Sequence, residues 1–381
     1  MRRRGLTGSF WPSEQQELLL RAALVDGEPG EQAWLASRPT LDIERLELGS
    51  SMLLPLVEQR LRGRGSTDEL LPRMTGVYRN LWSRNQLGLS DLKELLTLLG
   101  RAHVETMLLG PAALVTRYYA RLGLRALYEP AILVRPDRVD DALRALERAG
   151  WDVDSDRSGR QQRVERRQAG ENRPCAVYWR FLPELDSPGD RPSVDELWAA
   201  ALPKDVDGVP ALTLCATDEL LHTCVGGARS GNVSRVQWVA DAATILEVAA
   251  PEIEWTRLVD QAARRRCALR LHDALAYLAE VLLAPVPATA IDELARIPST
   301  PREQRAHRLA GRGPAVLGNV PAAVAAHMVT LRDESIGRTL VTLPDFLAGE
   351  WGVDGARHLP AAVARRTAGS LAAARARRVH H

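Results

Sequence analysis

Residues 123–151 read GLRALYEPAILVRPDRVDDALRALERAGW, and the fold turns on how this stretch is parsed. The apolar run Ala131, Ile132, Leu133 and Val134 predicts a short buried strand. Arg135-Pro136-Asp137 breaks it. Val139, Ala142, Leu143, Leu146 and Ala149 then fall on one face of a helix that Gly150 ends. A strand running into an amphipathic helix leaves its flanking loop where chemistry is expected, yet the loop here, Tyr128-Glu129-Pro130, carries a single acid.

Outward from this segment, His103 to Leu109 and Val209 to Leu214 predict further strands, with Ala112 to Leu122 as a helix. Gln161 to Arg167 and Ala176 to Leu182 predict the arms of a hairpin about Ala169-Gly170-Glu171-Asn172. The run Asp186-Ser187-Pro188-Gly189-Asp190-Arg191-Pro192 is turn-rich punctuation, and Val194, Leu197 and Trp198 mark a short helix after it. Val104 to Leu109, Ile132 to Val134 and Val177 to Leu182 are expected in one small mixed sheet, with Val139 to Ala149 packed across it.

Helices are predicted on both sides. Ser13 is placed to cap a helix over Glu14 to Val25, and Ser50 or Ser51 another over Met52 to Leu61. Leu70, Met74, Val77, Leu81, Leu92, Leu95 and Leu99 predict one long helix from Thr67 to Leu99, or two joined at Gly88. Thr217-Asp218-Glu219 opens a second helical region with acids suited to a helix N-terminus. It continues through Val233–Val248, Trp255–Arg265, Ala268–Leu283, Thr289–Ala295, Pro301–Leu309 and Pro321–Arg332. Ala361 to Arg378 combines alanines with arginines and reads as a solvated helix or as a patch for an anionic partner. The expected class is α+β, mostly helical: an N-terminal helical cap (1–101), an α/β core (102–215) and a C-terminal helical region with a basic tail (216–381).

With 381 residues, 45% of them hydrophobic, the chain is long enough for a sizeable core. Its formal net charge of +2 gives no case for a polyanion partner, so nucleic acid is not expected. Lysine occurs only at Lys93 and Lys204, so arginine carries the positive charge, interleaved with Asp and Glu. Cys175, Cys215, Cys224 and Cys267 form no CxxC pair and read as buried small residues of a reducing compartment. Neither a secretory leader nor an apolar run long enough to span a bilayer is read, which predicts a soluble, cytoplasmic protein.

Several segments together resemble one family. Tyr128-Glu129-Pro130-Ala131, the apolar strand, Arg135-Pro136 and the helix closing on Gly150-Trp151 are similar to the strand-helix core of the uncharacterised nucleotidyltransferase family, related to minimal nucleotidyltransferases. Leu18 to Leu24 resembles that family's opening helix, and Tyr78 to Asn85 its long helix before the first core strand. Leu220 to Val225 and Ser234 to Asp241 are similar to its C-terminal half. The resemblance implies a Gly-Asp-x-Asp whose carboxylates converge with a third on Mg²⁺. At those positions this chain has Glu129, Ala131 and, matching on Trp179-Arg180, Ala176, with Tyr178 where the family has histidine. One carboxylate of three survives, lengthened. The family's Leu-Lys-Gly corresponds to Leu109-Gly110-Pro111, with Gly110 at either the lysine or the glycine. A family histidine falls at Gly226.

Other constellations carry little. His103-Val104-Glu105 lacks the downstream cysteines of a zinc deaminase, and His222 and Cys224 lie two apart on a helix, where they cannot share an ion. The resemblance therefore implies a nucleotidyltransferase fold with a degenerate metal site, used for binding or as an accessory protein in a bacterial biosynthetic or modification pathway. Its candidate catalytic residue is Glu129, and its candidate ligand residues are Gly110, Arg125, Tyr128, Arg135, Arg229, Arg235 and Asp241. The expected partner is a small anionic ligand or a protein, with no metal residues assigned. The alternatives are an active transferase using Mg²⁺ and NTP, and a helical interaction scaffold.

Overall fold

The opening stretch folds as its pattern predicts: Ala131–Val134 is a strand buried at all four positions, and Val139–Arg148 is a helix burying Ala142, Leu143 and Leu146. The computed structural model describes residues 11–153, 161–168, 171–182, 191–227, 236–301, 303–304 and 307. In chain order these form α1 (Glu14–Leu24), α2 (Gly27–Ser37), α3 (Leu48–Ser51), α4 (Leu54–Gly63), α5 (Leu71–Arg101), β1 (Thr106–Leu109), α6 (Pro111–Arg117), β2 (Ala131–Val134), α7 (Val139–Arg148), β3 (Asp152–Val153), β4 (Gln161–Gln168), β5 (Glu171–Tyr178), α8 (Arg191–Ala199), β6 (Leu202–Val206), β7 (Val209–Thr213), α9 (Ala216–Gly227), α10 (Gln237–Ala249), α11 (Trp255–Arg264), α12 (Ala268–Leu282) and α13 (Ala288–Arg296). The architecture is α+β and mostly helical around one mixed sheet.

The strands run in the order β3-β4-β5-β2-β1-β7-β6. β2 pairs antiparallel with β1 and parallel with β5, so Leu109, Ala131 and Ala176 sit at one level across three neighbouring strands. Successive side chains point to opposite faces of a sheet. Met107, Leu109, Ala131, Leu133 and Ala176 accordingly join one core, shared with α1, α9, α10 and α12. Leu108, Ile132, Val134, Cys175 and Val177 join another, built with the second half of α5 and with α7. Both faces are covered, which is why these short strands read as continuous apolar runs. The N-terminal helices pack directly on the C-terminal ones, where Trp11 meets Trp238 edge-on at 5.8 Å and Tyr277 at 5.1 Å.

Ser13 caps α1 as read, and Gln16 reaches back to complete a capping box. The second cap differs: Ser50 and Ser51 lie inside α3, whose first N–H groups, those of Gly49 and Ser50, bond instead to the Glu47 carboxylate at 2.9 and 2.8 Å. The long helix is unbroken over 31 residues, and Gly88 is buried within it. β1 begins at Thr106 rather than at 103 or 104, because His103 takes a positive φ of 54° and Val104 N–H closes the end of α5 by bonding Leu99 O. α6 stops at Arg117, well before Leu122. β5 spans Glu171–Tyr178 instead of 176–182, since its full length pairs with β4. A strand that the pattern missed, β6, is joined to β7 through Asp207 and Gly208, both at positive φ (48° and 86°). That Asp-Gly pair is a recognisable hairpin signal. Cys175, Cys224 and Cys267 are buried and Cys215 half-buried, all as free thiols. No helix among the described residues is long and apolar enough to cross a membrane. The predicted helices at 321–332 and 361–378, the turn residues 169 and 170, and the loop at 186–190 lie outside the described residues.

Candidate functional site

A cavity of about 360 Å³ opens on the sheet face that carries Leu109, Ala131 and Ala176. Its floor is those strand ends, and its far wall is α9 and α10. Two glycines shape it. Gly110, at the turn from β1 into α6, has φ 52° and ψ −125°, a conformation that L side chains rarely adopt. It therefore behaves as the glycine of the loop, while Pro111 takes the first helical position, where a missing N–H costs nothing. At Gly227 an added Cβ would lie 2.1 Å from Trp238 Cβ, so only glycine lets α9 and α10 approach this closely.

The structure brings together most of the sequence-derived candidates. Gly110, Arg125, Tyr128, Glu129 and Asp241 all line the cavity. Glu129 and Tyr128 lie exposed at its rim. Ala131 and Ala176 are direct partners in the parallel β2–β5 ladder, and both line the cavity. Two methyl groups thus stand side by side beneath Glu129, at the positions where the family resemblance implies carboxylates. Gly226 also lines the wall, and an added Cβ there would meet no atom within 4 Å, so the missing side chain leaves open space.

Arg135 is not part of this site. It follows the opposite end of β2, one strand length away, where it pairs with Asp195 at 3.1 Å and Glu105 at 3.6 Å and covers the Trp198 ring at 4.8 Å. A four-residue strand puts its two ends roughly 10 Å or more apart, so Glu129 and Arg135 serve different regions. Arg229 and Arg235 lie outside the described residues.

Asp241 does form an ion pair, and its partner is Arg125. The carboxylate accepts from Arg125 Nε at 3.2 Å, Arg125 Nη2 at 2.9 Å and Tyr119 OH at 2.7 Å. A third guanidinium nitrogen of Arg125 donates to the Ala126 carbonyl. Burial alone would lower the Arg125 pKa, but Asp241 outweighs it and the shift is upward, so the guanidinium is held charged. The Tyr119 hydroxyl is pushed well above its usual range, by burial first and by Asp241 second.

Behind this pair, Asn85 of α5 fixes the chain leading to the rim. Its Nδ2 donates to Leu122 O at 2.5 Å and Arg125 O at 2.6 Å, and its Oδ1 accepts from Leu127 N–H at 2.8 Å. One buried side chain thereby satisfies three backbone groups of the loop that delivers Tyr128 and Glu129.

Residues outside the candidate set complete the wall: His222, which the sequence reading set aside as a metal ligand, and Thr223 from α9, Gln237 from α10 and Arg270 from α12. His222 packs against Phe181 in a tilted arrangement, with ring centroids 5.4 Å apart. Arg270 Nη1 donates to Val225 O at 3.0 Å. Gln237 and Asp241 stand one turn apart, two buried polar residues on one face of a mostly apolar helix. That pattern in Gln237-Trp238-Val239-Ala240-Asp241 was the available sequence signal.

The donor set does not fit the Mg²⁺ that the family resemblance implies. Two carboxylates line the cavity, and one of them, Asp241, is committed to Arg125 and Tyr119. Among the described residues no group of three or more His, Cys, Asp or Glu side chains is arranged to hold a metal ion.

Comparison with known proteins places residues 50–283 under a family model described as an uncharacterised nucleotidyltransferase. A solved structure described as an antigenic nucleotidyltransferase-like protein from Paracoccidioides brasiliensis is similar at 15% identity, covering 54% of this chain and 95% of the other, with a TM-score of 0.39. No curated protein matches the chain.

Proposed function

We propose that this chain, which belongs to the uncharacterised nucleotidyltransferase family, uses the family's cleft to bind a ligand or partner as an accessory protein of a biosynthetic or modification pathway and does not carry out Mg²⁺-dependent nucleotidyl transfer. The observation that carries the reading is the register of β2 and β5: Ala131 and Ala176 face each other at the cavity floor, and neither can bind a cation. Nucleotidyl transfer by the two-metal route needs several oxygens converging on the ions that bridge the phosphates. Glu129 supplies one carboxylate at the rim, and the Asp241 carboxylate is already neutralised by Arg125. Gly110, Tyr128 and Glu129 form the accessible wall for the ligand, while Arg125 and Asp241 hold that wall in shape. Arg229 and Arg235 are the proposed cations for an anionic portion of the ligand.

The test is incubation of the full chain with labelled nucleoside triphosphates and candidate acceptors, with Mg²⁺ or with EDTA, alongside calorimetric titration. The expected result is no transfer above background and any nucleotide binding unchanged by chelation. Mg²⁺-dependent transfer that disappears in Glu129→Ala would overturn the reading.

A further inference from the structure

Among the described residues, two polar side chains on the far wall of the cavity have no hydrogen-bond partner. Gln237 is 1% exposed, and neither its Oε1 nor its Nε2 has a hydrogen-bond partner; Thr223, 6% exposed, has an unpartnered hydroxyl. Both line the cavity. An unsatisfied buried amide is costly, so a carboxamide held in this state marks a place where something else supplies the bonds. The nearby charged groups do not, because Arg125 and Asp241 are bonded to each other. Leu109, Leu114, Val225 and the flat ring of Trp238 add apolar surface to the same cavity.

From this we infer that the inner wall of the cavity recognises an uncharged cis-amide edge, of the kind carried by lactams and by the oxo-rings of pyrimidines, with Gln237 as the residue that reads it. A carboxamide presents one donor and one acceptor side by side, and a cis-amide presents the complementary acceptor and donor, so the two pair through two parallel bonds. The Thr223 hydroxyl, both donor and acceptor, is available to the same ligand. A flat ring bearing that edge also fills the apolar space beside Trp238, and a volume of about 360 Å³ lies within the range of small-molecule sites. A bare phosphate would leave the amide acceptor unsatisfied and the apolar wall uncovered. The inference rests on the reading of the cleft as a binding site, but it concerns the inner wall and is independent of charge at the rim.

The test uses uracil and δ-valerolactam as probes, titrated against the full chain by calorimetry and thermal shift in phosphate-free buffer, with ATP in the presence and absence of Mg²⁺ as the parallel arm. Both probes are expected to bind and raise Tm. Gln237→Leu is expected to weaken them by about tenfold or more while Tm stays level or rises, since it removes an unsatisfied amide at similar volume. Gln237→Met serves as the second variant if leucine disturbs the fold, and Thr223→Val is expected to weaken binding less. Failure of both probes to bind, or unchanged affinity in the folded Gln237 variants, overturns the inference. If ATP binds without metal while the probes do not, the inference fails and the non-catalytic reading stands. If ATP is turned over with Mg²⁺ while the probes still depend on Gln237, the reverse holds.

Discussion

The two sides of α9 handle the same chemistry in opposite ways. Asp218 and Glu219 are neighbours in sequence, and both are completely buried. On the side facing α11, Asp218 accepts from Arg257 Nη2 at 2.7 Å and from the Gln261 amide. On the side nearer Arg117 and Asp241, neither oxygen of Glu219 has a hydrogen-bond partner among the described residues. Burial therefore pushes the Glu219 carboxyl up to about 8; Arg117 pulls against the shift, while Asp241 and Asp218 add to it. The pair of acids in Thr217-Asp218-Glu219 reads as dipole-complementing charge at a helix start. Inside the fold one of them is an ion-pair anchor and the other a neutral acid over most of the physiological range. The difference teaches that a buried carboxylate is defined by what its neighbours donate.

The comparison breaks most visibly at Asp218. Replacing it by alanine strands the Arg257 guanidinium and the Gln261 amide, and about 3–5 kcal/mol of stability should be lost, measured by urea unfolding at pH 7. A loss below 1 kcal/mol would show that the side facing α11 is no more committed than the other.

Glu219→Gln should act in the other direction and only at higher pH. The folded carboxyl holds its proton more tightly than the unfolded one, so the native state binds more protons between pH 4.5 and about 8. Stability of the wild type must then fall as pH rises through that window, with the full penalty present above it. The variant should match the wild type near pH 4 and exceed it by on the order of 2–4 kcal/mol at pH 9, with a flatter profile. Parallel curves for the two proteins would mean that Glu219 finds a partner in solution.

The smallest effect is expected from Arg257→Lys. Lysine keeps the charge opposite Asp218 but lacks the planar fork that donates from Nε and Nη2, so a loss of about 1 kcal/mol should appear in the same unfolding experiment. A loss as large as that of Asp218→Ala would make the fork geometry, rather than the charge, the feature that distinguishes the two sides.

Much of the fold was legible in local pattern. The Ser13 cap, the strand at 131–134, the helix at 139–148 and the apolar stripe of α5 follow from nearest neighbours and one period each. β6 was missed although Asp207-Gly208 marks its turn, and β5 was placed too late because its pairing with β4, not its own composition, sets its start. For the candidate site, sequence pointed to Gly110, Arg125, Tyr128, Glu129 and Asp241, which the structure gathers on one cavity. It also pointed to Arg135, which the strand carries away to the opposite end.

The sequence by itself determined the α+β class, the strand-helix core at its centre and the presence of alanine at 131 and 176, because each is written in residue identity or in a period of two or 3.6. Only the tertiary structure decided that those two alanines stand side by side, that Asp241 belongs to Arg125, that Asp218 is paired while Glu219 is not, and that Gln237 is buried with no partner. Each of these depends on contacts between residues far apart in the chain. Such contacts are fixed by register and by how closely helices pack, as at Gly227 against Trp238, and no local pattern encodes them.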